Sequence, residues 1–138
     1  VFGTRVELLI YGAADDKARA ATAEVLQDFD RLHRQYHAWQ ESDLTRLNAA
    51  IATGKPASVT PELAALVTQA QAFAQASDYL FDPAIGQLIA LWGFQSDAPK
   101  AELPRSAAID ALVKRRPTSA DLRATAAKRH QPHQVVRD

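Results

Sequence analysis

Apolar positions along the chain follow two periods. In residues 5–11, Val6, Leu8 and Ile10 interleave with Arg5, Glu7, Leu9 and Tyr11, the period-two pattern of a strand with one covered face. Gly12 ends the run, and Asp15 and Asp16 open a helix whose positive end favours their carboxylates. Val25, Leu26, Phe29, Leu32 and Tyr36 then recur at spacings of three and four, so the helix is predicted to run to Tyr36 with one apolar stripe. One strand cannot satisfy its own edges. Since the rest of the chain reads as largely helical, the sheet is expected to be completed by strands not well represented here, with dimerisation or aggregation as the consequence of an open edge.

Residues 37–42 break the stripe and read as a loop. Ser42 or Asp43 then caps a short helix with Leu44, Leu47 and Ile51 on one face, and Gly54-Lys55-Pro56 makes a turn. Thr60-Pro61-Glu62 combines a hydroxyl cap, a first-position proline and a first-turn acid. It opens the clearest stripe of the chain, Leu63, Leu66, Val67, Ala70, Phe73 and Ala74, closed by Ser77-Asp78. Asp82-Pro83 repeats the cap-plus-proline signal, and Gly93 is a natural stop. After a linker at 95–104, Ser106 is predicted to cap a last helix carrying Ile109, Leu112 and Val113, with Lys114, Arg115 and Arg116 in its final turn. Past Leu122 the pattern dissolves. Residues 124–138 hold only Val135 and Val136 as apolar anchors and are expected to form a poorly ordered basic tail. The fold class is α+β: an N-terminal strand plus several amphipathic helices.

Composition narrows the chemistry. The 138 residues carry no Cys, which removes disulfides, thiol catalysis and iron–sulfur ligation by this chain. No run of about 18 apolar residues is present, and no signal-peptide pattern stands at the start. The chain has no Met and is expected to be processed or part of something longer. Sixteen basic side chains balance sixteen acidic ones, which argues against a dedicated nucleic-acid binder. The balance hides an asymmetry: residues 1–100 hold eight basic and twelve acidic groups, and residues 101–138 eight and four. That basic end is read as a solvated tail.

Few residues suggest a site by themselves. Trp39 is a large ring outside any stripe and wants either a pocket or a ligand. Asp82 caps a helix whatever else it does, while Tyr36, Trp92 and Phe94 read as core. His130 and His133 sit at H-x-x-H spacing, but Pro132 between them disfavours a helix. His33 and His37 are four apart, too few ligands for zinc, and are read as solvated or half-packed.

Four ordered segments together resemble one family. Phe2-Gly3-Thr4 before a strand is similar to its opening Met-Gly-Thr. His37-Ala38-Trp39-Gln40-Glu41-Ser42-Asp43-Leu44-Thr45-Arg46-Leu47-Asn48 resembles its Ser-Thr-Tyr-x-x-x-Ser-x-[Leu/Ile]-x-x-[Leu/Phe]-Asn segment, and Val59-Thr60-Pro61-Glu62-Leu63 its Val-Ser-Pro-Glu-Leu. Most specific is Phe81-Asp82-Pro83-Ala84-Ile85-Gly86-Gln87-Leu88-Ile89-Ala90-Leu91-Trp92-Gly93-Phe94, close to Phe-Asp-Pro-Thr-Val-Gly-Pro-Leu-Val-Asn-Leu-Trp-Gly-Phe. The family is the FAD:protein FMN transferases of the ApbE type, and the resemblance spans residues 1–123.

The resemblance implies Mg²⁺-dependent splitting of FAD, with FMN passed to a Ser/Thr hydroxyl of an acceptor flavoprotein and AMP released. It assigns FAD contacts to Phe2, Trp39, Leu80, Phe81 and Asp82. It also implies a place in the bacterial periplasm or at the cytoplasmic membrane. The family's Leu-Asp-[Leu/Phe]-Gly-Gly-x-Ala-Lys-Gly block and its Asp-Ala-x-[Ala/Ser]-Thr block, which supply the Mg²⁺ ligands, are absent from this sequence. The expectation is therefore an FAD-contacting part that is inactive alone. The alternatives are a non-catalytic flavin-binding or protein-interaction remnant, and a helical interaction domain with a basic tail.

Overall fold

The computed structural model describes residues 4–96, 98, 102–125 and 133–137. Contacts divide the chain into two units, Val1–Thr45 and Arg46–Asp138.

In the first unit, Arg5 to Tyr11 joins no ladder among the described residues. This corrects the predicted strand. The alternation still has a use, since Leu8 and Ile10 line an open groove with Ala18, Thr22, Ala23 and Leu26. Those four belong to helix α1, Asp15–Tyr36, whose bounds match the periodicity. No residue of α1 is buried, so its apolar stripe lies half-covered at best. Helix α2, Asp43–Ala52, begins in this unit. Ser42 and Thr45 cap it reciprocally: Thr45 N donates to Ser42 Oγ at 3.0 Å, and Ser42 N to Thr45 Oγ1 at 2.9 Å.

The second unit holds the sheet. Strand β1, Ala57–Val59, follows the turn at Gly54, whose φ of +65° suits glycine. Helix α3, Pro61–Ala76, starts where expected, with Thr60 Oγ1 accepting from Leu63 N at 3.2 Å. Pro83–Ile85 forms a 3₁₀ turn that runs into helix α4, Gly86–Leu91. Helix α5, Ser106–Arg115, packs on α4, and Arg115 Nη2 donates to Gln87 Oε1 at 3.0 Å. Ser106 is its first residue rather than its cap; Arg105 holds the cap position without a side-chain bond. A second 3₁₀ turn, Ser119–Asp121, leads into strands β2, Leu122–Thr125, and β3, His133–Arg137.

The three strands form an antiparallel sheet in the order β1-β3-β2. Ala57 pairs with Val135, Val59 with His133, and Leu122 with Arg137. The segment expected to be a loose tail therefore supplies the central strand. Two valines were too weak a signal, because β3 is held by ladder bonds on both edges rather than by a broad apolar face. Val135 is fully covered, and α3 packs across β2 and β3 with Leu63, Ala64 and Ala74 buried. Trp92 is half-buried, but Phe94 is 57% exposed and is not core. Gly93 at φ +76° turns the chain sharply just before it, which carries Phe94 off the helix stripe.

Candidate functional site

The loop after α3 presents three of the residues singled out for ligand contact. Ser77 ends the helix, and Tyr79 N returns to Ala74 O at 2.8 Å. Asp78 and Tyr79 both lie in the left-handed region, at φ +51° and +60°. Two consecutive non-glycine residues there cost on the order of 1 kcal/mol each, so other bonds must hold the turn. Ser77 Oγ does so by donating to Ala74 O and accepting from Phe81 N, each at 3.1 Å. The result lifts Leu80 and Phe81 off the body: Leu80 is 93% exposed and Phe81 50%.

Asp82 locks the far end of this loop. Its Oδ1 accepts from Ala84 N at 2.9 Å, the predicted cap. Its Oδ2 accepts from Thr118 Oγ1 at 2.7 Å, and Ser119 N reaches both oxygens at 3.1 Å. Thr118 in turn caps the second 3₁₀ turn through Ala120 N. Partial burial raises the Asp82 pKa, yet the bonds from Ala84, Thr118 and Ser119 outweigh it and hold the carboxyl below its ordinary 3.8. Ser119 Oγ is buried without a well-formed hydrogen bond, though it lies close enough to favour the ionised carboxylate. From the other side, Gln71 Nε2 on α3 donates to Ser119 O at 2.7 Å and Leu122 O at 2.8 Å. The carboxylate thus ties the Leu80-Phe81 loop to the segment that starts β2.

In the first unit, the loop after α1 is built around His37, a residue only 5% exposed. Its Nδ1 accepts from Trp39 N at 3.3 Å and Gln40 N at 3.1 Å, and Ser42 Oγ donates to His37 O at 2.7 Å. The His37 ring meets the Trp39 ring edge-on at 4.9 Å and the His33 ring at 4.8 Å. Trp39 remains 38% exposed. His37 is therefore neither solvated nor half-packed, which corrects the sequence reading.

Leu80, Phe81 and Asp82 are brought together with Thr118 and Ser119, and Trp39 stands on its own loop in the other unit. Phe2 lies outside the described residues, as does His130. Gln71, Thr118, Ser119 and His37 were not foreseen. Thr118-Ser119 before Ala120-Asp121 had a detectable cap signal, but nothing local pointed to Asp82 thirty-six positions away. Among the described residues no group of three or more His, Asp or Glu side chains is placed to hold a metal.

Fold and site define a mixed α+β chain that displays apolar side chains on a loop fastened by a carboxylate. The crystal structure of the ApbE protein from Thermotoga maritima shares this fold, with a TM-score of 0.75 over 92% of this chain and 41% of that chain, at 21% identity. A sequence model of the ApbE family matches residues 2–136, into β3 and past the 1–123 span carried by the motifs. The chain belongs to the ApbE family. It is 38% identical over 125 residues to the FAD:protein FMN transferase of Rhodobacter capsulatus, covering 91% of this chain and 24% of that relative's length.

Proposed function

We propose that this chain is the flavin-contacting part of an FAD:protein FMN transferase, with FAD as the substrate bound. The observation that carries the reading is the display of Leu80 and Phe81 on a fastened loop, in a chain 38% identical to a protein of that name. A flavin ring is large, flat and largely apolar, and an exposed aliphatic–aromatic pair held in one position suits its face. Asp82 acts here through the loop, because both of its oxygens are occupied by backbone and Thr118 donors. Phe2 and Trp39 are assigned to the same ligand by the family resemblance.

FMN transfer to a flavoprotein hydroxyl belongs to the same proposal. When bound, Mg²⁺ would neutralise charge on the pyrophosphate, but the described residues offer no cluster to hold it. The test is an FAD titration followed by flavin fluorescence, with and without Mg²⁺, comparing the wild-type chain with Phe81→Ala and Trp39→Ala. Saturable binding that weakens about tenfold in Phe81→Ala supports the reading. Mg²⁺-dependent AMP release would extend it to transfer by this chain, whereas binding without product favours a non-catalytic flavin binder. No saturable binding at all would overturn it.

A further inference from the structure

We propose that His37 is a positioning residue whose neutral imidazole holds the Trp39 loop in shape, so that acid releases this loop and weakens ligand contact at Trp39. The geometry identifies the protonation state. A backbone N–H can only donate, and two of them, from Trp39 and Gln40, point at Nδ1. Nδ1 must therefore carry a lone pair, and the ring proton sits on Nε2. A second proton would place an N–H against two N–H donors inside a group that is 95% covered, since the residue is only 5% exposed.

Those bonds set where Trp39 stands. They fold the chain back over residues 37–40, the Ser42 hydroxyl closes the loop on His37 O, and the indole stands T-shaped against the His37 ring. The titratable group meeting the ring from α1 is His33, at 4.8 Å. A charge on His33 would oppose a charge on His37, so His33 is tested separately. Asn is the informative replacement, because its Oδ1 is bonded to Cγ as the histidine Nδ1 is. It can accept the same two N–H groups and cannot take up a proton in the working range.

The experiment uses the full chain with Trp92→Phe, so that Trp39 is its one tryptophan. Trp39 emission is recorded from about pH 8 down to the acid limit at which the fold still holds. A pH step is expected with His37 present and with His33→Gln, and none with His37→Asn. His37→Ala should give the acid-side emission at every pH. A step that survives in His37→Asn, is lost only in His33→Gln, or is missing when both histidines are present would overturn the proposal.

A second arm rests on Trp39 contacting FAD, as proposed above. There FAD should bind about tenfold more weakly at the acid end, as loss of two modest hydrogen bonds implies, and His37→Asn should remove that difference. Equal affinity at both ends of the range would overturn the coupling. Should FAD fail to bind at any pH while the emission step follows His37, the functional reading falls and the role of His37 in placing Trp39 stands.

Discussion

Replacing Asp82 by Ala should be among the most damaging half-buried substitutions in the chain. The change strands three donors: Ala84 N–H, Thr118 O–H and Ser119 N–H. Bonds to a charged acceptor contribute about 1.5–3 kcal/mol each when buried, and partial access to water brings each nearer 1 kcal/mol. Loss of about 3 kcal/mol follows, or a fall in Tm of about 10 °C for a chain this long. Asp82→Asn keeps one carbonyl oxygen and should cost about 1 kcal/mol. Urea unfolding followed by far-UV circular dichroism measures both. A double-mutant cycle with Thr118→Val should show coupling of about 1 kcal/mol. The sign with pH is also determined. Because the folded carboxyl is held below its ordinary 3.8, its contribution is present above that value and lost as pH falls through the lower folded one. The gap between wild type and Asp82→Ala should therefore narrow below about pH 4. A gap under about 0.5 kcal/mol at neutral pH, or additive effects in the cycle, would refute the view of Asp82 as the fastening of this loop.

Three further outcomes can be checked by the same unfolding assay. Gln71→Glu keeps the shape but turns an acceptor-only carboxylate toward Ser119 O and Leu122 O, so it should destabilise more than Gln71→Ala at neutral pH and recover in acid. Leu63→Ala, at a side chain only 1% exposed where α3 meets the sheet, should cost about 3 kcal/mol. Gly54→Ala meets no atom within 4 Å but keeps φ at +65°, so its cost of about 1 kcal/mol should come from the backbone alone.

Features written in short stretches were legible in the sequence. The Thr60-Pro61 start of α3, the Ser42 cap of α2, the extent of α1 and the Asp82 bond to Ala84 each depend on residues within a few positions of one another. The motifs around Phe81 likewise identified the family before any fold was known. What escaped depends on distance along the chain. Residues 5–11 have a strand's alternation but no ladder among the described residues, while β3 has almost no apolar pattern and becomes the central strand by pairing with β1 and β2. Asp82 likewise shows as a clamp only when Thr118 and Ser119 arrive beside it, whereas His37 bonds within its own loop and escaped because a histidine ring is not among the usual capping side chains. Local capping and periodicity act within about one helical turn, so sequence alone determined the helices and most of their ends. Ladder partners and side-chain acceptors are chosen by which segments meet in space, and only the tertiary structure decided those.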